Sequence, residues 1–140
     1  LLYFYFDSKD ELILATLRSI ASDMDALAAG TTDPGEMAAG VSISLRNRPA
    51  FVRILAWLVL EGRSITQEMG GHPFLQRLVA TLATSQSDDP ITQAGTVVAM
   101  LLSNALLSPG INIALGRDAD DVRLVDALDK SIARTLTAQI

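Results

Sequence analysis

Apolar residues recur along this chain at intervals of three and four, the spacing of one helix face, and rarely alternate as a strand would. Ile13, Leu17, Ile20, Met24 and Leu27 form the first stripe. It opens at Ser8, where Ser8-Lys9-Asp10-Glu11 has the S-x-x-E order of a capping box. There a hydroxyl and a carboxylate each take a backbone amide that a helix start leaves unpaired. Gly30 closes this helix. Asp33-Pro34-Gly35-Glu36 repeats the start signal with proline at the first helical position. Met37, Val41 and Leu45 then make an inward line that ends in Arg46-Asn47-Arg48-Pro49, because the residue before proline is pushed away from helical angles.

A third helix is predicted from Pro49 to Gly62. Phe51, Val52, Ile54, Leu55, Trp57, Leu58, Val59 and Leu60 leave it almost no polar face, which predicts a central rod buried on most sides. Gly70-Gly71-His72-Pro73 breaks the chain, and a fourth helix turns Leu75, Leu78, Val79 and Leu82 to the core. After the polar turn Ser85 to Asp89, Pro90 starts a fifth helix that runs to about Ser108, where Ser108-Pro109-Gly110 ends or kinks it. This helix has an apolar line (Ile91, Ala94, Val98, Leu101, Ala105) and an offset line of small residues, Gly95, Ala99 and Ser103, over which another helix can approach closely. The last helix follows Gly116, with Asp118 to Asp121 at its start, where the helix dipole favours negative charge. Val125, Leu128, Ile132 and Leu136 form its stripe. The pattern as a whole predicts an all-α fold of six helices.

Composition narrows the function. The chain of 140 residues is 49% hydrophobic but only 5% aromatic, and its net charge is −5. A module that held nucleic acid by itself would carry a basic face, so that class is excluded for this segment alone. No cysteine is present, which removes disulfides, thiolate metal sites and cysteine nucleophiles. Uninterrupted apolar runs such as Ile54 to Leu60 are shorter than the ~18–20 residues of a membrane span. The opening LLYFYF lacks the basic leader and cleavage site of a signal peptide. The expectation is a cytoplasmic protein with no membrane association.

The opening segment, Leu2-Tyr3-Phe4-Tyr5-Phe6-Asp7-Ser8-Lys9-Asp10-Glu11-Leu12, carries the most information. It resembles the L-Y-x-[YH]-F-x-[SN]-K-x-x-L signature of the TetR/AcrR family of transcriptional regulators. The remainder of the chain is similar to that family's regulatory half only in the number, length and order of its helices. The resemblance implies that residues 1–8 end a helix-turn-helix and that 9–140 form a ligand-binding and dimerisation domain. It also implies that the rest of the DNA-reading head lies upstream of Leu1. Contact of Tyr3, Tyr5 and Lys9 with the DNA backbone is part of the same implication. The chemistry is compatible: a tyrosine hydroxyl reaches a phosphate oxygen, and a lysine in the first helical turn adds to the amides that already attract anions there.

No nucleophile is accompanied by a base, and the adjacent acids Asp88-Asp89 and Asp120-Asp121 read as helix caps. No catalytic site, metal site or cofactor is expected. His72, the only histidine, reads as a loop or cap residue, with a ligand role as its alternative. Met24, Met37, Arg53, Trp57, Glu61, Phe74, Met100 and Asn104 are the candidate lining of an effector pocket. Flexible Met and aromatic rings suit adaptable apolar recognition, although simple core packing explains any one of them as well. Asn104 sits among leucines and alanines, where an unpaired amide is costly, so it pairs across a dimer, holds a water or meets a ligand.

Gly95, Ala99 and Ser103 with Val125, Leu128, Ile132 and Leu136 are the expected dimer interface, a four-helix bundle of the last two helices and their copies. The expected function is ligand-responsive regulation of operator DNA by a homodimer that takes a small, mainly apolar effector. The alternative is a helical module that binds another protein.

Overall fold

The computed structural model describes residues 9–64, 67 and 71–137. Six α-helices and no strand occur among the described residues: α1 Lys9–Ala29, α2 Pro34–Arg46, α3 Pro49–Leu60, α4 Pro73–Thr84, α5 Pro90–Ala114 and α6 Val122–Thr137. Ser8 lies outside the described residues, so the first half of the expected capping box does too.

The starts follow local chemistry. Asp33 accepts a hydrogen bond from the amide of Gly35 at 2.7 Å and Pro34 opens α2, as the sequence predicts. Asp89 does the same for α5, accepting from the amide of Thr92 at 3.1 Å, and this bonding holds its carboxyl below the usual range. Two helix ends use glycine for its access to the left-handed region. After α5, Gly116 has φ 75° and lets the amide of Arg117 reach the Asn112 carbonyl at 2.9 Å. Gly62, at φ 73°, does the same after α3, with Arg63 on Leu58 at 3.0 Å.

α5 is the helix on which α2, α3, α4 and α6 all pack, and α1 closes the core against α2 and α4. Leu17, Leu58, Leu78, Leu82 and Val97 are the large side chains most completely enclosed. The inward lines of α2, α4 and α6 follow the predicted periodicity, with Met37, Val41 and Leu45 all buried on α2. The line expected on α5 is corrected: Ile91 is 73% exposed, and the buried line runs Ala94, Val97, Leu101, Asn104 and Ser108. On α1 the line shifts by one residue at its end: Ala28 is buried in place of the exposed Leu27, since four steps from Met24 return closer to the same face than three.

Three further expectations are corrected. The central rod is α5, not α3. The third helix buries only Phe51, Val52 and Leu58, and it leaves Leu60 85% and Trp57 44% exposed, because it packs on α2 and α5 from one side only. Second, α5 does not end at Ser108 but continues through the exposed Pro109 to Ala114. The helix survives the lost amide, a defect of about 3 kcal/mol, because its final turns are tied down. Ser108 donates to Asn104 at 2.7 Å, and the Asn112 amide donates to the carbonyls of Ala119 and Asp121 at 3.2 and 3.0 Å. Third, the acids Asp118 to Asp120 precede α6 rather than form its first turn. Only Asp121 adjoins it, bonded to the amide and guanidinium of Arg123; those bonds lower its pKa to about 2.

By length and composition α5 would suffice to cross a membrane, since no charged residue interrupts Pro90–Ala114. Counting uninterrupted apolar runs missed this. In the fold, α5 buries four polar side chains (Gln93, Asn104, Ser108 and Asn112) against its neighbours.

Candidate ligand cavity

Five helices leave a cavity of about 110 Å³ between them. Its wall is built from residues that share one face of each helix: Ala21 and Met24 on α1, Val41 and Leu45 on α2, Phe51 and Leu55 on α3. Phe74 and Leu75 on α4 and Val98, Leu101 and Leu102 on α5 complete the apolar surface, while His72 and Pro73 border it where the chain enters α4. Among the described residues every lining side chain except His72 is apolar. The imidazole of His72 is half-buried and makes no capping bond to the helix it precedes.

Of the eight residues expected to line a pocket, Met24 and Phe74 do so. Met37 is buried in the core but away from the cavity. Met100 is half-buried against the core, its sulfur 4.0 Å from the Thr135 hydroxyl. Arg53, Trp57 and Glu61 lie exposed on and just after α3, and the Arg63 guanidinium stands 6.0 Å from the Trp57 ring. These three are corrected from cavity to surface. Hydropathy marked α3 as buried without saying which of its faces would find a neighbour. Trp57 therefore should emit as a water-exposed indole and be quenched readily by acrylamide; a blue-shifted, unquenched emission would contradict this placement.

Asn104 is also off the cavity. It is only 2% exposed, and both ends of its amide are satisfied inside the chain. The NH2 group donates to Asp129 at 3.1 Å and to the Val125 carbonyl at 3.4 Å, while the oxygen accepts from Ser108 at 2.7 Å. The same Asp129 oxygen accepts from Ser42 on α2 at 2.7 Å, and Arg46 approaches the other oxygen at 3.5 Å. Asn104 thus joins a network linking α2, α5 and α6, an arrangement that none of the three roles read from the sequence described.

Gly95, Ala99 and Ser103 are all exposed on the outer face of α5, and Leu106, Gly110 and Ile113 extend that face. The α6 residues expected beside them turn inward instead. Ile132 is buried in the core, Leu136 packs against it, and Val125 and Leu128 are half-buried. The outer face of α6 is polar, with Arg123, Asp126, Lys130 and Arg134 exposed. Lys9 is exposed at the first turn of α1, and Tyr3 and Tyr5 lie outside the described residues.

A bidentate ion pair lies elsewhere, between Arg77 on α4 and Asp25 on α1, with bonds of 2.7 and 3.1 Å. The hydrogen bond from Arg77 holds the Asp25 carboxyl below its ordinary range. Each group satisfies the other, so the pair fastens α4 to α1 rather than offering a site. Among the described residues no three carboxylate, imidazole or thiol groups gather as a cation site requires.

No family model matches the chain, and no curated protein or solved structure matches it significantly.

Proposed function

We propose that this chain is the effector-binding and dimerisation part of a ligand-responsive transcriptional regulator, a repressor acting on operator DNA in the cytoplasm. The observation that carries this reading is that one helix serves both ends. α1 begins with Lys9 beside the TetR-like opening segment, and its Ala21 and Met24 line the apolar cavity. At 1.5 Å per residue, Lys9 and Met24 stand about 22 Å apart along the helix axis. A small tilt forced at the cavity therefore becomes a larger displacement at the DNA-proximal end.

The rest of the reading head is proposed to be encoded upstream of Leu1. Two such heads meet successive major-groove half-sites only at a separation near ~34 Å. A ligand that favours another tilt of α1 draws the heads off register. A coupling of ~1–3 kcal/mol shifts operator affinity by roughly 5–150-fold, provided that the ligand binds the two tilts unequally. Dimerisation is proposed through the outer face of α5, where Gly95, Ala99 and Ser103 permit close approach and Leu106 and Ile113 supply exposed apolar surface. The inward turn of the α6 stripe gives α5 the larger share of that seam.

The test is DNA binding by the protein with its upstream residues in place. It should retard a two-fold symmetric operator. Lys9→Ala should weaken binding to all sequences alike and flatten the dependence on salt by about one unit of slope. A gene with no helix-turn-helix before Leu1, or a Lys9→Ala variant that changes specificity alone, would sink the assignment.

A further inference from the structure

We infer that the cavity takes a small, uncharged aromatic molecule of one ring, whose single polar substituent meets the imidazole of His72. This rests on the reading of the cavity as the effector site and names what that effector is.

Size sets the first limit. An engineered protein cavity of about 150 Å³ lined by Leu, Ile and Phe holds one benzene. A space of about 110 Å³ here admits one ring once the flexible Met24 gives way, and it has no room for two fused rings. Charge sets the second. The described lining contains no Asp, Glu, Lys or Arg, so an ionised ligand would lose its hydration with nothing to replace it. Ring chemistry sets the third. Phe51 and Phe74 approach from two different helices and Met24 from a third. Aromatic rings and a thioether both prefer an aromatic guest, whose positive edge and negative face they can meet. That preference favours a planar ring over a saturated one by about 3–10-fold.

The fourth feature is polar and single. Among the described lining residues His72 alone has a side-chain hydrogen-bonding nitrogen, and the helix beginning at Pro73 does not use it as a cap. A phenol has the required parts: one apolar ring for the cavity and one hydroxyl for the imidazole.

The experiment compares phenol, cyclohexanol, benzoate and benzene by calorimetric titration of the protein with its upstream residues in place. Phenol should bind, cyclohexanol about 3–10-fold more weakly, and benzoate not at all. His72→Phe should lower phenol affinity about fivefold, the loss of one hydrogen bond, and leave benzene unchanged. Ala21→Phe, which fills the cavity from α1, should abolish binding of phenol, cyclohexanol and benzene. If Ala21→Phe does not fold by circular dichroism, His72→Phe alone decides. The inference is overturned by absence of phenol binding, by benzoate or cyclohexanol binding as tightly as phenol, or by His72→Phe weakening benzene and phenol equally. Phenol that binds yet leaves operator affinity unchanged sinks the regulatory reading and upholds the ligand class. An operator-releasing compound that is charged or has fused rings does the opposite.

Discussion

Replacing Gly95 and Ala99 together by leucine is expected to convert the proposed dimer into a monomer without unfolding the chain. Both positions are exposed on the outer face of α5, and a Cβ added at Gly95 would meet nothing within 4 Å. Within the protomer the exchange costs nothing sterically, and replacing a helical glycine gains up to about 1 kcal/mol of helix propensity. The effect falls on the partner. Helices that cross over small residues sit near the close end of the ~8–10 Å range of axial separations, and leucines hold them apart. Two-fold symmetry places four new leucines in one seam. At 1–3 kcal/mol for each overpacked side chain, the association weakens by at least about 4 kcal/mol, close to a thousandfold. Sedimentation should report half the parent mass with unchanged helical content. A full-mass variant would place the interface elsewhere.

Asn104→Ala should be the most damaging polar substitution in the chain. The amide it removes satisfies Asp129 and Ser108 and reaches the Val125 carbonyl. The buried Ser108 hydroxyl is left without its acceptor, and the half-buried Asp129 and Val125 lose a donor, at about 1–3 kcal/mol, and a small void adds to the loss. About 3 kcal/mol in all corresponds to a fall in Tm of roughly 6–12 °C. Ser42 remains bonded to Asp129, so Asn104→Ala combined with Asp129→Ala should cost less than the sum of the two single changes. Urea unfolding of the four proteins measures this coupling. A loss below about 0.5 kcal/mol for Asn104→Ala would mean that the network is not closed in solution. Because Ser42 shares α2 with the cavity residues Val41 and Leu45, the network also lies one step from the cavity.

The two halves of this account differ in how they could be read from the chain. Where several helices begin, and which line α2, α4 and α6 turn inward, is written within a few residues. Asp33-Pro34 and Asp89-Pro90 cap their helices through bonds spanning two or three positions, and Met37, Val41 and Leu45 face inward because the helical period puts them on one side. Such effects need no knowledge of the rest of the fold. The cost of burying Asn104 was equally legible, since its neighbours on α5 are apolar.

Its partners beyond Ser108 were not, because Val125 and Asp129 lie 21 and 25 positions later and, through Asp129, Ser42 joins across 87 positions. Only the packing of α2 and α6 on α5 brings them together. The same holds for α3, whose composition predicted enclosure. Hydropathy measures what a helix would gain by burial, but the number of neighbours that arrive to bury it is decided elsewhere, and among the described residues Trp57 and Leu60 stay exposed. The cavity is the extreme case. Each lining residue is an ordinary core residue by its own pattern, and the empty space is a property of five helices that do not quite meet. Local periodicity and capping thus determined the presence and order of the six helices and the inward face of α2, α4 and α6, whereas the inward line and end of α5, the exposed side of α3, the polar network and the cavity depended on long-range packing, which no short stretch of sequence encodes.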